Sequence, residues 1–186
     1  MINTYKLMIC IAALPLCATT ATRTAAEVVS AAGNGFELRE TAHTAASPDK
    51  VYAALLEPAH WWNSDHTFSG NAANLALDAR AGGCWCETLP GGGSVEHLRV
   101  VYVAPGKTLR LRGALGPFQG LAVDGVMTWS VKSAAGGGTD ISFTYALGGY
   151  AKDGLEGMSK IADQVLGEQL ERLKKVVDGE PLPRGH

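Results

Sequence analysis

The feature that most constrains the fold of this sequence is a single apolar stripe near its C-terminus. The stripe recurs every three or four residues and consists of Met158, Ala162, Leu166, Leu170, Leu173 and Val177. This spacing predicts one amphipathic helix of roughly twenty residues. Such a helix is about 30 Å long, and its apolar side has to be covered by the rest of the chain.

The chain before this helix alternates with a period of two, which predicts strands. Residues 36–44 form a first run, and six short runs follow between Leu75 and Leu147, separated by turns rich in glycine and proline. Short turns of this kind predict an antiparallel meander. Two short helices are expected after the first strand. The first begins at Ser47-Pro48, a capping residue followed by a proline. The second begins at His60 and runs to about Gly70, as a helical or irregular segment.

The element order predicts an α+β protein. A twisted sheet of seven strands has a large concave face, and a single helix cannot fill it. We therefore expect a curved antiparallel sheet wrapped around the long C-terminal helix, with a hollow between them.

The N-terminus predicts export. Lys6 precedes an apolar run from Leu7 to Ala18, and a stretch of small and polar residues reaches Ala26. This order is typical of a secretory signal, and the run is shorter than the roughly 20 residues of a spanning helix. We expect a signal peptide at 1–26, a linker at 27–35, one domain at 36–178 and a flexible tail at 179–186. The mature protein would then be periplasmic or secreted, with no integral membrane segment.

Charge and motifs narrow the function classes. The net charge is −2 and lysines and arginines do not cluster, so nucleic-acid binding is not indicated. Gly106-Lys107-Thr108 lacks the first glycine of a phosphate-binding loop, and no cofactor is expected. Composition does not distinguish a monomer from a homodimer.

Several short motifs together resemble the START-like superfamily, the Bet v 1-like helix-grip proteins. In this sequence the motifs are residues 46–52 (Ala-Ser-Pro-Asp-Lys-Val-Tyr), Trp61-Trp62, Ala81-Gly82-Gly83, Ala104-Pro105-Gly106-Lys107 and Gly137-Gly138-Thr139. The sequence is most similar to the bacterial group with polyketide-cyclase-like and Hsp90-activator-like domains, over about Phe36 to Val177. The resemblance implies a helix-grip fold with a ligand cavity. It does not fix a function, and the signal peptide and Cys84-Trp85-Cys86 depart from the group.

The predicted ligand contacts are the aromatic residues and the small or flexible residues expected on the inner surfaces. Aromatic walls suit a small hydrophobic ligand, which needs large apolar contact and few polar anchors. These residues are Trp61, Trp62, Phe68, Cys84, Cys86, Met127, Trp129, Phe143, Tyr145, Met158 and Ala162. Each aromatic could instead fill the core.

Cys84 and Cys86 are two residues apart on a predicted strand, so both point to one face. Two small, buried, unreactive thiols are the favoured interpretation. A disulfide would have to join Cα atoms about 6.6 Å apart, close to the upper limit for the bond. A zinc or copper site would need further donors such as His66, His97 or Glu87, which are not at a recognised ligand spacing, and no metal is expected.

The candidate acid–base residues are His66, Glu87 and His97. A histidine titrates near neutral pH, and Glu87 and His97 could meet across neighbouring strands, although solvent exposure is the default expectation for both. The sequence therefore favours an exported protein that binds a small hydrophobic molecule. Two alternatives remain open: a cyclase or dehydratase that acts on a polyketide-like substrate, and an envelope interaction or stress module with a filled interior.

Overall fold

The structure is a computed structural model that describes residues 25–183. Almost all of the predicted signal peptide at 1–26 lies outside the described residues, as does the end of the predicted tail. Export and the exact domain bounds therefore stay predictions. In the part of the chain that is described, no helix is both long and apolar enough to cross a membrane.

The described residues form eight strands, two α-helices and five short 3-10 turns. The strands are β1 (Ala25–Ala32), β2 (Gly35–Thr44), β3 (Leu75–Leu77), β4 (Cys84–Thr88), β5 (Ser94–Ala104), β6 (Thr108–Arg112), β7 (Ala122–Ser133) and β8 (Thr139–Tyr150). The helices are α1 (Pro48–Leu55) and α2 (Glu156–Asp178). The 3-10 turns are Pro58–His60, Ser64–His66, Ala72–Asn74, Pro90–Gly92 and Gly116–Gly120.

All strands belong to one sheet with the order β1-β2-β8-β7-β6-β5-β4-β3, and the neighbouring strands are antiparallel. The predicted α+β class and helix-grip arrangement are confirmed. The seven predicted strands correspond to β2–β8. The eighth strand, β1, begins at the end of the predicted signal peptide, continues through most of the predicted linker and pairs with β2 from Ala25↔Thr41 to Ala32↔Gly35.

The helix predictions are confirmed at α1 and α2 but not between them. At α1, the Ser47 side chain accepts a hydrogen bond from the Lys50 N–H at 3.4 Å, and Pro48 occupies the first turn. After α1 the segment predicted as a second helix contains only 3-10 turns. One of these is capped by Asn63, whose side chain accepts from the Asp65 N–H at 3.1 Å, because a short polar side chain competes with continued helix formation.

The core lies between the concave face of the sheet and α2. Leu166, Leu170, Leu173 and Val177 of the predicted stripe are buried, and α2 packs mainly against β1 and β2. Farther along the same face of the sheet, an aromatic cluster fills the space near α1, with Trp61 in edge-on contact with both Trp85 and Trp129.

Candidate functional site

A cavity of about 500 Å³ opens between the first half of α2 and two loops. One loop is residues 62–69, called the rim loop below, and the other is the turn at residues 115–118. The volume lies within the roughly 300–1,000 Å³ that is usual for small-molecule pockets. The lining residues are Trp62, Asp65, His66, Thr67, Phe68, Leu115, Gly116, Pro117, Phe118, Tyr145, Met158, Ile161, Ala162, Val165 and Leu166.

The composition of the α2 stripe explains why the cavity forms at this end of the helix. Leu170 and Leu173 are fully buried and fill the space between α2 and the sheet. Two and three turns before Leu170 the stripe carries Ala162 and Met158, and the small side chain of Ala162 leaves room beside the helix. At the mouth, Phe68 and Ile161 are 54% and 67% exposed, so apolar surface continues from the cavity to the solvent.

The rim loop is held to the sheet by a buried carboxylate. Glu87 of β4 accepts hydrogen bonds from the backbone N–H groups of Phe68, at 3.1 Å, and Ser69, at 2.5 Å. The ring of His97 on β5 lies 2.9 Å from the same carboxylate, measured from Nε2 to Oε2. Burial alone would raise the pKa of Glu87, but the hydrogen bonds from Ser69, Phe68 and His97 outweigh burial and lower it.

Glu87 and His97 therefore meet as the sequence suggested, but the default expectation that they are exposed is wrong. A bulge in the β4–β5 pairing turns both His97 and Leu98 toward the interior. Burial lowers the pKa of His97, and the neighbouring Glu87 only partly offsets this effect. The pair does not line the cavity. It holds the backbone of the rim loop against the sheet, so its role in this structure is to position that loop.

The rim loop is also held to α2 by polar side chains. The Asn63 amide nitrogen Nδ2 donates to Glu168 at 2.7 Å, and His66 Nε2 lies 3.3 Å from the other oxygen of Glu168. The buried guanidinium of Arg172 donates from Nε to the Trp61 carbonyl at 2.8 Å. Because the loop is fixed to the sheet on one side and to the helix on the other, the cavity is preformed.

The structure brings five of the predicted ligand contacts to the cavity wall and leaves the others elsewhere. Trp62, Phe68, Tyr145, Met158 and Ala162 line the cavity, as does the acid–base candidate His66. Four others are buried in the hydrophobic core and do not line the cavity: Trp61, Met127, Trp129 and Phe143. Ligand binding by any of them stays a prediction.

Sequence reasoning missed several lining residues. Ile161 and Val165 follow Met158 at spacings of three and four, so the helical period that defined the stripe could have identified a second stripe beside it. The turn from Leu115 to Phe118 carried no periodic signal, since it joins two strands by an irregular path.

Tyr145 is the polar group deepest in the cavity wall. Its hydroxyl donates to the Gly113 carbonyl and accepts from the Leu115 N–H, each at 3.1 Å. Burial raises the pKa of Tyr145 well above its ordinary value. The hydroxyl therefore stays protonated and holds the 113–115 segment in place.

Cys84 and Cys86 form a disulfide, so the favoured interpretation as free, buried thiols is wrong. Their Cα atoms are 5.4 Å apart instead of the roughly 6.6 Å of a regular strand, which is within the range that a disulfide spans. Both cysteines are partly exposed, whereas Trp85 and Glu87 point inward. The cysteines therefore do not line the cavity. Among the described residues, no group of three or more histidine, cysteine or carboxylate side chains could hold a metal.

A second buried carboxyl lies between β2 and α2. Glu40 has 0% of its surface exposed, and burial, together with the nearby charge of Asp163, raises the pKa of its carboxyl to about 8. Glu40 is not part of the cavity lining, so it bears on stability and not on the cavity.

Comparisons with known proteins agree on the fold. The chain resembles a protein from Chromobacterium violaceum (20% identity, covering 76% of this chain and 96% of that one, TM-score 0.53). It also resembles a conserved protein of unknown function from Enterococcus faecalis (17% identity, 88% and 81% covered, TM-score 0.57). A third similar structure is that of CalU16 from Micromonospora echinospora (19% identity, 88% of each chain covered, TM-score 0.56).

At these identities the likeness shows the fold alone, and a search of curated proteins found no match. The family assignment rests instead on a family model described as polyketide cyclase / dehydrase and lipid transport, which matches residues 35–178. The matched region includes β2–β8 and α2, and therefore the whole cavity wall, and it agrees with the START-like resemblance of the sequence. The chain belongs to the polyketide cyclase/dehydrase and lipid transport family.

Proposed function

We propose that this protein binds a small, mainly apolar molecule in the cavity between the sheet and α2, and that it does so outside the cytoplasm. The observation that carries the binding proposal is the 500 Å³ cavity with its largely apolar wall. The alternative of an envelope interaction or stress module requires a tightly filled interior, and the volume of this cavity counts against it.

The wall favours a ligand with an apolar body and one polar group. Phe118, Met158 and Leu166 offer apolar contact. The polar side chains of Asp65, His66 and Thr67 lie together on the rim loop, and a hydroxyl or carbonyl group of the ligand could bind there. The Tyr145 hydroxyl is already occupied by two backbone groups, so it is a poor second anchor.

Export rests on the N-terminal sequence alone. Expression of the full chain in a bacterial host, followed by fractionation and N-terminal sequencing, tests it. We expect a periplasmic or secreted product that begins between residues 22 and 27. A cytoplasmic product that retains Met1 would refute export without affecting the binding proposal.

Binding is tested by native mass spectrometry of protein purified from its own host and by titration with a fluorescent apolar probe. Ala162→Phe places a ring in the cavity, and Gln164→Phe adds the same ring to the exposed side of α2. We expect Ala162→Phe to weaken probe binding at least tenfold, because the added ring takes the ligand's place, while Gln164→Phe leaves it unchanged. Equal affinities in both variants, or no bound molecule under either condition, would refute the proposal.

A cyclase or dehydratase is the second candidate, and one observation favours it. His66 lines the cavity and lies 3.3 Å from Glu168, an arrangement in which a carboxylate can orient an imidazole for proton transfer. His66→Gln separates the two functions. An enzyme would lose turnover of a polyketide-like substrate and still bind it, whereas a binding protein would show no turnover before or after the change.

A further inference from the structure

The disulfide between Cys84 and Cys86 is poorly placed to stabilise the fold. The two residues are separated by Trp85 alone, and a cross-link that closes so short a loop restricts the unfolded chain least. Both cysteines are partly exposed on the outer face of β4. A reagent in solution can therefore approach the bond while the protein stays folded.

The neighbours of the two sulfur atoms differ in charge. The strand register places Arg99 opposite Cys84, and Glu96 opposite Cys86. Directly opposed residues share a face of the sheet, with Cβ atoms about 5 Å apart. Arg99 donates from Nη1 to the Gly82 carbonyl at 3.0 Å, which holds its guanidinium near the start of β4, and from Nη2 to the carboxylate of Glu96. The two charges therefore form one ion pair, with its positive end opposite Cys84 and its negative end opposite Cys86.

The other side of β4 adds to this asymmetry. Ala76 of the edge strand β3 is opposite Cys86, and its methyl group leaves the Cys86 sulfur accessible. Beyond it, Asp78 lies near Cys84, but its carboxylate is paired with Arg80 at 2.8 Å. Both acidic residues here are thus paired, Asp78 with Arg80 and Glu96 with Arg99. The asymmetry that remains is the orientation of the Arg99–Glu96 pair, whose positive end lies opposite Cys84 and whose negative end lies opposite Cys86.

We propose that Cys84–Cys86 is a thiol–disulfide exchange site for small thiols. Its polarity is fixed: the incoming thiol attacks Cys86, and Cys84 is the leaving group. An external thiolate attacks Sγ of Cys86, a bond forms between those two sulfur atoms, and the Cys84–Cys86 bond breaks. The electron pair of the broken bond stays on Sγ of Cys84, where the guanidinium of Arg99 stabilises the negative charge. A second thiolate then releases Cys86, so that two thiols are oxidised to one disulfide and the protein disulfide gains two electrons.

The polarity can be read directly by mass spectrometry. Folded, oxidised protein is mixed with 2-mercaptoethanol, which carries no charge, and the reaction is quenched with iodoacetamide. Tandem mass spectrometry then locates the two adducts on either side of Trp85. We expect the mercaptoethanol adduct on Cys86 and the carbamidomethyl group on Cys84. The reverse assignment would overturn the proposal, as would a disulfide that is reduced only after denaturant is added.

The role of Arg99 is tested by the rate of the same reaction. Arg99→Gln removes the positive charge beside Cys84, and we expect the rate constant to fall about two- to fivefold, the range for exposed charge interactions. Arg110→Gln is the matched control, since Arg110 is also exposed but lies on β6 against Tyr102, and its rate should equal that of the parent protein. Equal rates in all three proteins would overturn the assigned polarity.

Discussion

The buried carboxyl of Glu40 predicts a loss of stability as the pH rises from about 4.5 to about 8. Glu40 lies on β2 under α2 with 0% of its surface exposed, and neither of its oxygens receives a hydrogen bond from the described residues. Burial, and then the nearby Asp163, raises the pKa of Glu40 from 4.5 to about 8. In the folded protein the carboxyl is therefore mostly protonated at neutral pH.

The direction and size of the effect follow from this pKa. Between pH 4.5 and about pH 8 the folded state binds a proton at Glu40 that the unfolded state has released. The free energy of unfolding is thus highest, as far as Glu40 is concerned, below pH 4.5 and falls as the pH rises through about 8. Each pKa unit corresponds to about 1.4 kcal/mol, so the total loss is on the order of 5 kcal/mol.

Glu40→Gln removes the titrating group, and Glu37→Gln, on the opposite face of β2, is the matched control. Urea unfolding followed by tryptophan fluorescence at about pH 5 and about pH 9 gives the free energy of unfolding of each protein. We expect Glu40→Gln to lose several kcal/mol less than the parent between the two pH values, and Glu37→Gln to follow the parent. His97 also titrates, but it does so in all three proteins and cancels in the comparison. A pH dependence of Glu40→Gln within about 1 kcal/mol of the parent would refute the buried, protonated carboxyl.

Two further predictions concern the anchoring of the rim loop. Glu87→Ala leaves two backbone N–H groups without their carboxylate acceptor. We expect a loss of about 2–4 kcal/mol of stability in urea unfolding, together with weaker binding of the apolar probe. Stability within about 0.5 kcal/mol of the parent would show that water replaces the carboxylate. Arg172→Met keeps much of the apolar stem but leaves the Trp61 carbonyl without its donor, so we expect a loss of about 1–3 kcal/mol and faster hydrogen exchange in residues 61–66. Unchanged exchange there would contradict the role of Arg172.

The fold was predictable because its two periodicities are clear in the sequence. The stripe through Leu166 and Leu170 could only be a helix, and the alternation along β7 and β8 could only be strands. β1 was missed because its sequence, rich in alanine with Val28 and Val29, shows no regular alternation. Its strand conformation depends on pairing with β2, and that is a tertiary effect.

The candidate site was less predictable, since it depends on which face each strand presents. The pattern Cys84-Trp85-Cys86-Glu87 shows that the two cysteines share a face, but both parities carry residues that could be buried. The bulge that turned His97 inward left no sequence signal. The distinction between cavity wall and core likewise depends on side-chain volume along α2, which periodicity alone does not report.

The anchoring of the rim loop bears on how this cavity gains affinity. A ligand that enters a pocket with mobile walls has to order them, and that cost is subtracted from its binding free energy. Here Glu87 holds the loop from the sheet, and Glu168 and Arg172 hold it from α2, so most of this cost is met when the protein folds. Phe68 and Ile161 at the mouth are exposed, and their side chains can adjust without moving the backbone. Changes at the three anchors should therefore weaken ligands of every shape, whereas changes at the mouth should select among them.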